Sequence, residues 1–185
     1  MASGEVRLSN VPRIRDVETM VELMRDLGAD VEWTGPNDVR VDPAGVSKTS
    51  LDPELSRDIR ASFLLAAPLL ARFGEVTVPP PGGDVIGRRR LDTHVHAFQE
   101  LGVEVELNAA YEMRTDGLRG KRLYLDEASV SGTESAIMAA VLAEGRTCVG
   151  HAACEPHIQD LCRFLVQLGA HIEGIGSNVL HIEGV

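Results

Sequence analysis

The sequence is poor in aromatic residues, in cysteine and in positive charge. Phenylalanine, tryptophan and tyrosine make up only 4% of its 185 residues, so leucine, valine, isoleucine and alanine must fill the core. Three cysteines, Cys148, Cys154 and Cys162, do not make a disulfide framework, which favours a reducing cytoplasm. The formal net charge of −10 argues against non-specific binding to nucleic acid or to an anionic membrane.

Long apolar segments are also lacking. No run reaches the roughly 18 residues that a membrane-spanning helix needs, and residues 1–5 lack the basic-then-apolar pattern of a signal peptide. With 44% hydrophobic and 25% charged residues, the composition is typical of a soluble globular domain. Because no linker or low-complexity segment interrupts it, we expect residues 1–185 to form a single domain, and we expect it in the cytoplasm.

What the sequence does contain is one pattern repeated three times, over residues 5–41, 75–114 and 146–182. Each copy reads strand, amphipathic helix, Leu-Gly, strand, strand, and Gly28, Gly102 and Gly169 suit the left-handed position that ends a helix. The alternation of apolar and polar residues predicts strands with one solvated face. The predicted strands are 5–8, 29–32, 38–41, 75–78, 103–106, 111–114, 146–149, 170–173 and 179–182, and the predicted outer helices are 16–27, 90–101 and 158–168.

Two further helices are predicted between the repeats, over residues 58–73 and 133–143. Both are apolar on nearly every side, so we expect both to be enclosed, and Pro68 should kink the first or mark a close contact. The sequence thus predicts an α/β fold of threefold-repeated strand–helix units. In this fold, inner apolar helices are surrounded by small sheets and by outer amphipathic helices.

The least ordinary segment is the loop 79–92, which reads Pro-Pro-Pro-Gly-Gly-Asp-Val-Ile-Gly-Arg-Arg-Arg-Leu-Asp. Its three arginines, Arg88, Arg89 and Arg90, stand just before a predicted helix in an acidic protein. Forked donors beside free backbone N–H groups make a good anion site, although a solvated basic turn is the alternative. Asp84 alone, in a glycine-rich loop, would be a turn residue.

A metal site is the rival interpretation of the segment 148–157, where Cys148, His151, Cys154 and His157 follow one another at intervals of three. Structural zinc sites use paired ligands instead, and this segment should pass from a strand to a helix. We therefore expect neither a metal nor a cofactor.

The loop resembles the catalytic loop of the UDP-N-acetylglucosamine 1-carboxyvinyltransferases, the enolpyruvyl transferases of peptidoglycan synthesis. That family's loop reads Pro-Gly-Gly-Cys-x-Ile-Gly-x-Arg-Pro-x-Asp-x-His, and residues 81–94 match it except for Asp84 in place of cysteine and Arg90 in place of proline. Other similar segments are Asn10-Val11-Pro12, Arg60-Ala61-Ser62, residues 152–158 and Ile182-Glu183-Gly184-Val185.

The resemblance implies transfer of the enolpyruvyl group of phosphoenolpyruvate to the 3-hydroxyl of UDP-N-acetylglucosamine. Such an enzyme is an inverse α/β prism of two similar domains with the active site between them, and this chain resembles the domain that carries the loop. The partner domain, a lysine–asparagine pair and the third inner helix have no counterpart here. We therefore expect the chain to be inactive alone, with an exposed apolar groove through which it could self-associate.

The resemblance also implies roles for residues. Asp84 would be the general acid that protonates phosphoenolpyruvate, and its replacement of cysteine implies insensitivity to the epoxide fosfomycin. Arg60 would contact the UDP-sugar. His94 matches a family histidine near the nucleotide, although a lone histidine is more often a cap or a packing group. The remaining substrate-binding positions are Arg89, Arg90, Leu91, Asp92 and Thr93 in one segment and Glu127, Ala128, Ser129 and Val130 in another, where Glu127 reverses the charge of the family's lysine.

Two other interpretations stay open. Asp84, Glu127 and Cys154 permit a non-catalytic relative that kept a UDP-sugar half-site. The second open interpretation is an enolpyruvyl transferase that acts on another acceptor, such as shikimate 3-phosphate. The loop looks more like that of the UDP-sugar branch.

Overall fold

The computed structural model describes residues 2, 4–83 and 90–185. Its strands are β1 Val6–Leu8, β2 Asp30–Gly35, β3 Asp38–Asp42, β4 Glu75–Val78, β5 Glu104–Leu107, β6 Tyr111–Arg114, β7 Arg122–Tyr124, β8 Arg146–Gly150, β9 His171–Glu173 and β10 Val179–Glu183. Its helices are α1 Arg15–Asp26, α2 Pro53–Asp58, a 3-10 helix Arg60–Leu65, α3 Ala66–Phe73, α4 Asp92–Glu100, α5 Val130–Ala140 and α6 Pro156–Gln167.

Each predicted repeat forms its own small sheet, and the three sheets share one topology. The strand orders are β1-β3-β2, β4-β6-β5 and β7-β8-β10-β9, so the last strand of every repeat lies in the middle, antiparallel to both of its repeat neighbours. The registers are equivalent as well, because Val41, Met113 and Ile182 occupy the same central position and each faces a residue on both neighbouring strands. The threefold repeat and the α/β fold class are thus confirmed.

The outer helices α1, α4 and α6 follow the first strand of each repeat and end as predicted. Gly28, Gly102 and Gly169 come two residues after the helix ends, with φ angles of 106°, 92° and 103°. These angles lie in the left-handed region, where a side chain would be strained. Three equivalent glycine stops therefore turn the chain back into the second strand of each repeat.

The first inner helix differs from the prediction of one helix over 58–73. The chain runs as a 3-10 helix to Leu65 and continues as α3 from Ala66, so that Pro68 stands in the first turn of α3. A proline costs no helical hydrogen bond there, because the first N–H groups of a helix have no partner within it. The residue therefore marks a change of helix type.

Two elements were not predicted. The helix α2 begins after Asp52, whose carboxylate accepts hydrogen bonds from the N–H groups of Glu54 and Leu55 at 2.9 and 2.8 Å. The strand β7 adds to the third sheet by parallel pairing with β8. The second inner helix, α5, also begins three residues earlier than the predicted Thr133, because Ser129 caps it.

The core surrounds α3 and α5, whose residues Ala66, Leu70, Ile137 and Ala140 are almost completely buried. One side of this pair is partly open, since Ala71 is exposed and Pro68 and Leu142 are only half-buried. Along it, a groove of about 340 Å³ is lined by Ala2, Pro43, Ala44, Pro68, Ala71, Arg72 and Leu142, here called the inner groove. The expectation of full enclosure is therefore met only in part, since both helices also carry exposed or half-buried residues. Throughout the described ranges, each helix is too short or too polar to traverse a lipid bilayer.

Candidate functional site

The loop between β4 and α4 begins firmly attached to the end of α2. The N–H of Gly82 donates to the carbonyl of Ser56 at 3.0 Å, and the N–H of Gly83 donates to the carbonyl of Arg57 at 3.1 Å. A Cβ atom at Gly82 would overlap the Arg57 carbonyl, so only glycine fits there. The next residues, 84–89, lie outside the described residues, and the predictions for Asp84 and Arg89 fall among them.

Arg60 connects this region to the start of α4. It is the first residue of the 3-10 helix, is half-buried, and donates from Nη2 to the carbonyl oxygen of Arg90 at 2.6 Å. It also lines a cavity of about 350 Å³, here called the Arg60 cavity. The lining of this cavity consists of Asp16, Asp58, Ile59, Arg60, Ala61, Leu64, Gly83, His94, Val130, Ser131 and Glu134.

The predicted binding residues at the start of α4 divide into two kinds. Arg90 and Asp92 are exposed, and the Arg90 guanidinium donates to the Asp92 carboxylate. Leu91 and Thr93 are only 7% and 3% exposed, so a ligand would meet their backbone groups. The Thr93 hydroxyl is used internally, because it donates to Asp126 Oδ1 at 2.7 Å and thereby lowers the pKa of that carboxyl group.

The start of α5 carries the second predicted segment. Ser129 caps the helix, and its Oγ accepts the N–H of Gly132 at 3.2 Å. The N–H groups of Val130 and Ser131 in this first turn have no partner within the helix. Glu127 and Ala128 are exposed just outside it.

The starts of α4 and α5 lie side by side. A Cβ atom at Gly132 would come within 2.8 Å of the Thr93 methyl group, and Glu127 Oε1 is 3.5 Å from the Thr93 hydroxyl. Both helices thus point their positive dipole ends at one region, which also holds Arg60 and Arg90. Such a region suits an anionic group and offers backbone donors to it.

Sequence reasoning missed several groups in the Arg60 cavity. His94 was expected to be a cap or a packing group, or to match a family histidine near the nucleotide. It is 2% exposed and bridges Ser131 and Ser135 on α5, a pairing that was not predicted. Glu134 is half-buried, and burial raises the pKa of its carboxyl group. The four-residue spacing of the two serines was the available signal, since it places both on one face of a helix.

The charges of the Arg60 cavity are mixed. The carboxyl groups of Asp16, Asp58 and Glu134 share the lining with the Arg60 guanidinium. Arg15 partly neutralises Asp58, at 3.3 Å. The surroundings of Arg60 and of the two helix starts therefore favour an anionic group, whereas the acidic side of the cavity disfavours one.

The cysteine–histidine segment is spread over a strand, a loop and a helix. Cys148 is half-buried in β8, Cys154 is exposed, and Cys162 is buried in α6. Within the part of the chain that the structure describes, no three histidine, cysteine or acidic side chains lie close enough together to hold a metal ion.

Comparison with known proteins gives consistent results. The family described as EPSP synthase (3-phosphoshikimate 1-carboxyvinyltransferase) matches residues 1–185. A UDP-N-acetylglucosamine 1-carboxyvinyltransferase of Bradyrhizobium diazoefficiens is 57% identical over 179 residues, which cover 97% of this chain and 42% of that protein. A protein of the same name from Treponema denticola is 49% identical, in an alignment that covers 100% of this chain and 43% of that protein. The chain thus spans less than half the length of these relatives.

Solved structures support the fold. The enolpyruvyl transferase NikO from Streptomyces tendae matches with a TM-score of 0.86 at 23% identity, over 100% of this chain and 43% of that one. An EPSP synthase from Acinetobacter baumannii matches with a TM-score of 0.75 at 18% identity, over 100% and 42%. Given the full-length family match and the identity to the curated relatives, the chain belongs to the EPSP synthase family, and within it is similar to the UDP-N-acetylglucosamine 1-carboxyvinyltransferases.

Proposed function

We propose that this chain is the loop-bearing domain of an enzyme that transfers the enolpyruvyl group of phosphoenolpyruvate to the 3-hydroxyl of UDP-N-acetylglucosamine. This reaction supplies peptidoglycan precursors in the cytoplasm and so serves cell shape and division. The observation that supports the proposal most is the meeting of Arg60, the start of α4 and the start of α5 around one cavity beside the loop. The identity of 57% to a named relative points to the same activity.

The proposed reaction has two steps, and both move protons. In the addition step, the 3-hydroxyl group loses its proton as its oxygen bonds to C2 of phosphoenolpyruvate, and a proton is added to C3. In the elimination step, C3 loses a proton and the bond from C2 to the phosphate oxygen breaks. We propose that Asp84 supplies the proton to C3, which requires a carboxyl group that stays protonated near neutral pH in a closed, poorly hydrated site.

The nucleotide part of the substrate has its own set of groups. We propose that its diphosphate is bound by Arg60, by Arg89 and by the N–H groups at the start of α5. The exposed Arg90 and Asp92 would then face the uridine, with Leu91 and Thr93 contributing backbone contacts. The segment of Glu127, Ala128, Ser129 and Val130 would lie beside the diphosphate. An anion held by charged donors in this way gains about 1.5–3 kcal/mol per hydrogen bond.

Binding of UDP-N-acetylglucosamine to the chain tests this proposal. Arg60→Gln should weaken the affinity by about tenfold or more, because it removes one charged donor from the anion. Arg163→Gln is the matched control, since Arg163 is exposed on α6 and pairs with Asp160. A wild-type chain that does not bind the nucleotide sugar at all, measured by NMR up to millimolar ligand, would refute the half-site.

Asp84 also predicts how the full-length enzyme responds to fosfomycin. A thiolate is a far better nucleophile than a carboxylate toward an epoxide carbon. We propose that the enzyme is insensitive and that Asp84→Cys restores covalent labelling. Mass spectrometry that finds stoichiometric labelling of the unmodified enzyme at Asp84 would contradict this.

Glu127 favours a second candidate, a non-catalytic UDP-sugar-binding relative. The resemblance implies a lysine beside a diphosphate at this position, where this chain has an exposed carboxylate. The Arg60 cavity is also acidic on one side. A transferase acting on another acceptor is the third. Phosphate release from phosphoenolpyruvate by the full-length protein distinguishes these candidates. For the proposed transferase, phosphate release should require UDP-N-acetylglucosamine. Phosphate release in the presence of shikimate 3-phosphate would indicate the other acceptor.

We further propose that residues 1–185 are one of two domains, with the third inner helix and the partner domain supplied from outside this chain. The inner groove would then be a contact surface, and Pro68, Ala71 and Leu142 supply its apolar part. Alone, the chain should give no turnover and should associate through this groove, because each Å² of apolar surface buried stabilises contact by roughly 25 cal/mol.

A further inference from the structure

One histidine lies between two serines at the floor of the Arg60 cavity. His94, the third residue of α4, has Nδ1 at 2.9 Å from Ser135 Oγ and Nε2 at 3.0 Å from Ser131 Oγ. The ring of Phe63 meets the imidazole edge-on with centroids 5.1 Å apart and closes one side. Both ring nitrogens are therefore engaged by hydroxyl groups of the neighbouring helix α5.

The imidazole is neutral at physiological pH. Burial, with a smaller effect of the Arg60 charge, lowers the pKa of His94 from 6.5 to about 4. The carboxyl group of Glu134 lines the same cavity, and its negative charge would favour a protonated imidazole. Burial has the larger effect on the pKa of His94 and lowers it. A neutral imidazole has one N–H and one lone pair, so one serine must donate to it and the other must accept from it.

Ser135 decides which arrangement holds. It is fully buried, and among the described residues the only hydrogen-bond partner of its hydroxyl is His94. If Nδ1 carried the hydrogen, the Ser135 hydroxyl hydrogen would lack an acceptor in the core, at a cost of about 1–3 kcal/mol. If Ser135 donates to Nδ1 instead, the hydrogen sits on Nε2, which donates to Ser131 Oγ. The second arrangement leaves no buried donor without a partner.

This arrangement determines the role of Ser131. Its Oγ accepts a hydrogen bond from His94 Nε2, so its hydroxyl hydrogen is available to donate to another group. Ser131 is half-buried and lines the Arg60 cavity, as the second residue of α5. Its backbone N–H belongs to the same helix start, so the residue presents two donors toward one region. A phosphoryl oxygen is a suitable acceptor for both.

We infer that His94 is a positioning residue that fixes Ser131 as a hydrogen-bond donor to a phosphoryl oxygen of a nucleoside diphosphate in the Arg60 cavity. The identity of the ligand rests on the proposed function, whereas the orientation of the hydroxyl groups rests on the geometry of α4 and α5. Ser131 is thereby an additional ligand-binding residue, next to the segment 127–130 that the sequence singled out.

The tautomer of His94 tests the positioning role in the wild-type chain. Two-bond ¹H–¹⁵N correlation spectra at pH 7 should show the hydrogen on Nε2. A hydrogen on Nδ1 would overturn the inference, because Ser131 would then have to donate to the ring. This measurement needs neither a variant nor a ligand.

Titration with UDP-N-acetylglucosamine tests the binding role. Ser131→Ala should weaken the affinity by about tenfold, as expected for loss of one hydrogen bond to a charged group, and Ser131→Thr should retain most of it. Ser177→Ala, in the exposed β9–β10 turn, is the control for the loss of a hydroxyl. Equal affinities of the wild type and Ser131→Ala would refute the donor role. Absence of binding by the wild type would instead refute the proposed function and the ligand named here.

Discussion

The buried His94 predicts a specific loss of stability in acid. Its pKa is 6.5 in an unperturbed chain and about 4 in the folded one, and its side chain is 2% exposed. Between pH 6.5 and about pH 4, His94 is protonated in the unfolded chain and neutral in the folded chain. The free energy of unfolding therefore falls as the pH falls through this window, and it is not affected by His94 well above pH 6.5.

The magnitude follows from the difference of about 2.5 pKa units. At about 1.4 kcal/mol per unit, the His94 contribution removes about 2 kcal/mol between pH 7 and pH 5, and about 3 kcal/mol by pH 4. Carboxyl groups also titrate here, and the raised pKa of Glu134 acts in the opposite direction. A comparison with a variant that cannot gain the proton isolates the histidine.

His94→Gln is that variant, because an amide can donate and accept but does not titrate. Urea unfolding at pH 7, 6 and 5 should show the wild type losing about 2 kcal/mol of its stability relative to the variant. A difference that stays constant over this range would refute the reasoning. If the variant does not fold, the NMR titration of His94 in the wild type decides: a pKa near 6.5 would contradict the burial argument.

Three further predictions concern the loop, the cap and the inner groove. Gly82→Ala should destabilise the chain by about 1–3 kcal/mol in thermal unfolding, because its Cβ atom would overlap a backbone carbonyl. Gly4→Ala is the control and should be neutral, because a Cβ atom there meets nothing within 4 Å. Ser129→Ala should cost about 0.5–2 kcal/mol by removing the cap of α5, and Ser129→Asp should restore it; equal melting temperatures would argue against the cap. Leu142→Lys should weaken the self-association of the chain in sedimentation velocity, and a wild type that stays monomeric at high concentration would show that the groove does not associate.

The repeats were predictable because their signals are local. Alternation along residues 38–41, 111–114 and 179–182 identifies the central strands, and one glycine ends each outer helix. The strand Arg122–Tyr124 gave no such signal, since three residues become a strand only by pairing with a distant one. The helix Pro53–Asp58 did have a local signal, an aspartate followed by proline, which is typical of a helix start.

The site was predictable in outline and not in detail. The resemblance of the loop led to residues 90–93, and that of the segment Arg60-Ala61-Ser62 led to Arg60. The burial of Leu91 and Thr93 depends instead on how α4 packs. The His94 bridge joins residues separated by 37 and 41 positions, so no local pattern contains it. Only the approach of α4 to α5 creates it.

The proposed UDP-sugar half-site consists of the Arg60 cavity and the two adjoining helix starts. The most direct test is an NMR titration of the backbone amides of the chain with UDP-N-acetylglucosamine. If the half-site exists, saturable shifts should concentrate at Arg60, at residues 90–94 and at residues 127–131. Shifts confined to the inner groove, or no shifts at millimolar ligand, would contradict it.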